Sequence, residues 1–81
     1  MNNEEQVVPA RFVEELETLS AMHRSCEIVY RSANGGRTVI RDRIAGLFRE
    51  EGEEWLRTAG GLVISLAALE QVDGMIPSKY C

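Results

Sequence analysis

Four glycine-bearing turns cut the chain between Cys26 and Gly74 into short pieces, at Gly35-Gly36, Gly52, Gly60-Gly61 and Gly74. The pieces between them are rich in β-branched, aromatic and leucine residues, and their apolar positions alternate. Alternation over four to eight residues bounded by glycine turns is the pattern of half-buried antiparallel strands. Cys26 to Ser32 reads as the first strand. Ala33-Asn34-Gly35-Gly36 is the first reversal, with Asn-Gly supplying positive φ angles. Arg37 to Phe48 reads as a long second strand in which Gly46 permits a bulge or bend, so that one strand serves two sides of a barrel. Glu50 to Glu53 turns into a short strand through Glu54, Trp55, Leu56 and Arg57. Ala59-Gly60-Gly61 then turns into Leu62 to Leu66, where Leu62, Ile64 and Leu66 share a face. Ala67 to Leu69 tightens into one helical turn, Glu70 to Val72 forms the last strand, and Asp73-Gly74 turns again. Met75 to Cys81 is a sixth strand or a tail, in which Pro77 forbids a central ladder position.

Before the strands stands one helix. Pro9 suits a first turn, and Phe12, Leu16, Leu19 and His23, flanked by Val13 and Met22, recur at three and four residues. Glu14, Glu15 and Glu17 lie off that stripe. Their ordinary explanation is complementarity to the helix dipole, with His23 and Arg24 doing the same at the far end. The fold class predicted is α+β and mainly β: an N-terminal helix packed on a small bent antiparallel open barrel of five or six strands, although the strand spacing taken alone suits a barrel whose edges are removed by closure. Residues 1–7 are polar and aperiodic and are predicted to be a flexible N-terminus, leaving 8–81 as one domain.

The chain has 81 residues, 44% hydrophobic and 27% charged, enough for one core and too apolar for wholesale disorder. No apolar run approaches the roughly 20 residues of a spanning helix. The start lacks the basic and apolar stretches of a secretory signal, which predicts a cytoplasmic protein and no membrane partner. Cys26 and Cys81 with His23 make no metal-ligand spacing, so neither metal nor cofactor is expected, and Cys26 is read as a buried apolar residue. The serines are scattered away from His23, and the carboxylates at Glu50 and Glu53 sit in a solvated turn. The expectation is therefore no enzyme and no small-molecule substrate.

The net charge of −4 is unevenly spread: residues 1–26 carry −3, residues 27–49 carry +3 and residues 50–81 carry −4. An acidic total disfavours general nucleic-acid affinity and favours a basic partner. Two surfaces are left as candidates. One is acidic, Glu14, Glu15 and Glu17 with Glu4 and Glu5. The other is a basic strip for RNA, Arg31, Arg37, Arg41 and Arg43. Arg31 and Arg57 stand beside Tyr30 and Trp55, but the reading sets each arginine on the opposite side of its strand from the aromatic. It also assigns aromatics in a small domain to the core, so base stacking is not expected.

From Val8 to Cys81 the chain resembles the Rof family of Rho-binding antiterminators. The likeness rests on Phe12-Val13-Glu14-Glu15-Leu16-Glu17 at the helix start, Ile28-Val29-Tyr30 before a glycine hairpin, and Arg43-Ile44-Ala45-Gly46-Leu47-Phe48. It continues through Glu54-Trp55-Leu56, Gly61-Leu62-Val63-Ile64-Ser65-Leu66, Val72-Asp73-Gly74 and Tyr80-Cys81. It departs from the family pattern at Ala10, Gly46, Ser65 and Ala67. The resemblance implies an Sm-like fold, a helix over a bent five- or six-stranded sheet. It also implies docking on the Rho termination helicase through the acidic residues, obstructing RNA loading and reducing termination. Ile28-Val29-Tyr30-Arg31 before a glycine turn also resembles WYL-type sensor domains, over that hairpin only.

Overall fold

The computed structural model describes residues 9–80; Glu4, Glu5, Cys81 and the proposed flexible segment 1–7 lie outside the described residues. One helix, α1 (Ala10–Met22), precedes five strands: β1 (Ser25–Arg31), β2 (Arg37–Glu50), β3 (Glu53–Thr58), β4 (Val63–Ser65) and β5 (Leu69–Val72). The strands form one antiparallel sheet in the order β4-β3-β2-β1-β5.

α1 starts because Pro9 fixes an extended N-cap, with φ −58° and ψ 137°, whose carbonyl accepts from the N–H groups of Phe12 and Val13. It stops because His23 turns into the left-handed region at φ 56°. His23 is thus an exposed C-cap and does not belong to the apolar stripe, a correction to its placement by periodicity. Phe12 and Leu16 are fully buried, and Val13 and Leu19 pack beside them.

β2 holds the sheet together by bending. Its first half, to Arg43, pairs with β1, and its second half, from Ile44, pairs with β3. At the changeover Ile44 opposes Thr58 while Gly46 opposes Arg57, so Ala45 is the extra residue of a bulge. The bend foreseen in this strand is present. The bulge residue is Ala45, and Gly46 has no positive φ and no crowding that would demand a glycine.

The hairpins divide unexpectedly. Asn34 does not have a positive φ; only Gly35 does, at 88°, within a wider loop in which the Asn34 side-chain oxygen accepts from the Gly36 N–H at 2.9 Å. The tight reversals with two positive φ residues are Glu51-Gly52 (54° and 80°) and Asp73-Gly74 (52° and 87°). After the second, Met75 pairs with Val72 through mutual N–H to C=O bonds of 2.8 and 2.9 Å, and the described residues close with a 3₁₀ turn at Pro77–Tyr80. No sixth strand forms among the described residues.

The sheet does not close. Among the strands β4 pairs only with β3 and β5 only with β1, so both remain edges; the barrel is open, as the fold class had it, and the closure suggested by strand spacing alone does not occur. β4 is three residues long, and the segment that could extend it, Leu66–Ala68, is wound into a 3₁₀ turn nucleated by the Ser65 hydroxyl, which accepts from the Ala67 N–H. Leu62, counted into this strand by alternation, lies outside it and is 40% exposed. The four Cα–Cα steps from Ser65 to Leu69 reach no more than about 14 Å, so these ends of the two edges are drawn near one another and the sheet curls strongly. Its concave side, covered by α1, holds the core of Phe12, Leu16, Ile28, Ile44, Leu56 and Leu66 with their buried neighbours. Cys26 belongs to that core, and burial pushes its thiol above the usual range.

Candidate functional site

The acidic surface sits on α1. With 100° between successive residues, Phe12, Leu16 and Leu19 point into the core, Glu14 points away from it, and Glu15 and Glu17 lie on the two flanks of the buried stripe. All three glutamates are exposed. The ion pairs found among the described residues are Arg31–Glu70, Arg37–Glu70 and Arg49–Glu54, so none of the three helix carboxylates is neutralised in that way. The dipole explanation fails on position: no acidic residue occupies the first turn of α1 and no basic residue its last. Three like charges within four positions repel one another, so this surface brings the helix a modest penalty. Glu17 also borders a shallow groove of about 180 Å³ between α1 and the far half of β2–β3, floored by Val13 and Leu47.

The basic surface has a different geometry. Ile40 and Ile44 face the core, so the alternate positions Arg37, Val39, Arg41 and Arg43 face away from it, and Arg31 joins them opposite Arg37. The four arginines named from the sequence therefore share one sheet face. They are not equally available. Glu70, the residue bulged out of β5 between Leu69 and Gln71, reaches Arg31 Nη2 at 2.5 Å and Arg37 Nε at 3.2 Å. Arg43 Nη1 lies 3.3 Å from His23 Nδ1, and Glu27 stands opposite Arg41.

Asp42 has a structural role that sequence reasoning missed. It faces the inner side between Arg41 and Arg43, and its two oxygens accept from the N–H groups of Arg43 at 2.7 Å and Gly60 at 2.9 Å. Those backbone N–H bonds, Gly60's first, with a further hydrogen bond from the Thr58 hydroxyl, hold the Asp42 carboxyl below its ordinary range. Thr58, only 2% exposed, also accepts from the Leu62 N–H, so its hydroxyl joins β2 to the β3–β4 turn. A Cβ at Gly60 would lie 2.9 Å from Asp42 Oδ2, which is why a residue without a side chain suits that turn.

The aromatics also depart from expectation. Phe48 and Trp55 are paired across β2 and β3, only half-buried and outside the core, with ring centroids 6.5 Å apart and planes 13° from parallel. Trp55 and Arg57 are two residues apart on β3 and so face the same side, contrary to the sequence reading. The Arg57 guanidinium lies 5.2 Å from the centre of the Phe48 ring, within cation–π range.

Among the described residues no group of three or more His, Cys, Asp or Glu is arranged to hold a metal ion, and no helix is long and apolar enough to cross a membrane. Compared with known proteins, the chain matches no family model, no curated protein and no solved structure.

Proposed function

We propose that this protein is a small, non-enzymatic regulatory binding module of the cytoplasm that docks through Glu14, Glu15 and Glu17 on a cationic surface of a larger protein. Rho is the candidate partner, and the outcome of docking is reduced Rho-dependent termination. The observation that carries the reading is an exposed triplet of carboxylates with no ion pair among the described residues and no dipole role, carried on a helix whose apolar stripe is buried in the core. Such a surface raises the encounter rate with a basic groove and competes there with RNA phosphates. Mixing the purified protein with Rho at low salt should give a complex that weakens as salt rises, with binding lost in the triple variant Glu14→Gln/Glu15→Gln/Glu17→Gln. Absence of a complex at low salt removes Rho as the partner.

A second reading, RNA binding through Arg31, Arg37, Arg41 and Arg43, is favoured by the shared face of the four side chains. It is opposed by the hold of Glu70 on two of them. Gel shifts with short single-stranded RNA test it, and no shift at high micromolar protein dismisses it.

A further inference from the structure

The sheet face turned away from the core carries two kinds of group that single-stranded nucleic acid requires, and they meet at the β2 bulge. Below the bulge are Arg41 and Arg43. Beyond it are Phe48 and, on β3, Trp55 and Arg57, with Arg57 opposite Gly46 and Trp55 opposite Phe48. The cross-strand neighbour of Trp55 on its other side is Ser65, and the neighbour of Arg57 is Val63, 41% exposed. Gly46 and Ser65 carry too little side chain to cover the rings. An apolar pair in a position open to water, with a cation already resting on one ring, is poorly explained as core. It is well explained as a stacking platform.

We propose that Phe48, Trp55 and Arg57, with Arg41 and Arg43, bind a short single-stranded nucleic acid, the bases stacking on the two rings and the phosphates following the arginines. Charge complementarity selects this occupant: Arg41, Arg43 and Arg57 lie on one continuous face, and none of them is in an ion pair among the described residues. The site is short. The β2–β3 tip, Glu50, Glu51 and Glu53, puts carboxylates just beyond the rings, and phosphates are repelled there. At the opposite end the single carboxylate of Glu70 engages both Arg31 and Arg37 and offsets one of their two charges. Two rings give stacking positions for about two bases. The inference deepens the second reading above, moving the contact from Arg31 and Arg37 to the aromatic pair, and it is independent of the acidic helix.

Trp55 is the protein's only tryptophan, so its fluorescence reports on the platform directly. Titrating the full chain with a short oligouridylate at low salt should quench that emission, with affinity falling steeply between about 50 and 200 mM salt. Phe48→Leu, which keeps an apolar side chain but no ring, should weaken binding about fivefold or more. Arg57→Gln, an exposed change that spares the core, should weaken it too and should flatten the salt dependence. The triple helix variant Glu14→Gln/Glu15→Gln/Glu17→Gln should still quench. Oligonucleotide binding seen by gel shift without any change in Trp55 emission, or with Arg57→Gln indistinguishable from wild type, overturns the platform while leaving the second reading standing. No binding by either method overturns both.

Discussion

A single carboxylate, Asp42, joins two strands and a turn, because its oxygens accept from the N–H groups of Arg43 and Gly60 and from the Thr58 hydroxyl. Its pKa is lowered on folding, so its stabilisation is present above the unfolded value and is lost as pH falls through the folded one. Asp42→Asn replaces one acceptor with an NH₂ group that faces a backbone donor. It should therefore lower the melting temperature at neutral pH. The gap between variant and wild type should narrow as pH falls below the ordinary carboxylate range and through the lowered folded value, where the wild-type carboxyl is also protonated. Thermal unfolding of both proteins across that range checks it, and a gap that stays constant with pH rules out the carboxylate as the cause. From the sequence, Asp42 reads as a charged interruption of a strand. Its donor at Gly60 is 18 residues away, and alternation does not report which distant N–H groups lack partners.

Among the elements, hairpins separate what residue type can and cannot predict. Every glycine turn was legible, because a strand can reverse sharply only where positive φ is tolerated. Which residue shares the turn with glycine was not. Asn34, suited to positive φ, does not adopt it, while Glu51 does at 54° between Glu50 and the facing Glu53. Glu51→Asn puts a residue that tolerates this conformation into the tight turn and removes one of three clustered negative charges. It should stabilise the protein by up to about 1 kcal/mol, read as a rise of a few degrees in Tm. A fall in Tm would mean that the strain at position 51 is not what limits this hairpin. The same scale explains the misplaced aromatic faces, since two residues along a strand return the side chain to the same side.

In the whole molecule, one small core supports everything. Phe12 and Leu16 are the only helix residues fully buried in it, so they anchor α1 and with it the acidic surface. Phe12→Ala should cost about 3–5 kcal/mol, a large share of the roughly 5–15 kcal/mol available to a domain. Denaturant unfolding should show a sharply lowered midpoint, and a change below about 1 kcal/mol would mean that the helix is not integral to the fold.

The helix, the strands and their turns followed from residue type and spacing, because they depend on neighbours within a few positions: a 3.6-residue apolar stripe, two-residue alternation, glycine at reversals. Which strands form the two edges, the single face shared by the arginines and the pairing of Arg31 with Glu70, 39 residues along, were settled only when the strands came together. Burial and ion pairing join groups that are distant in the chain, and no local pattern records which of them will meet.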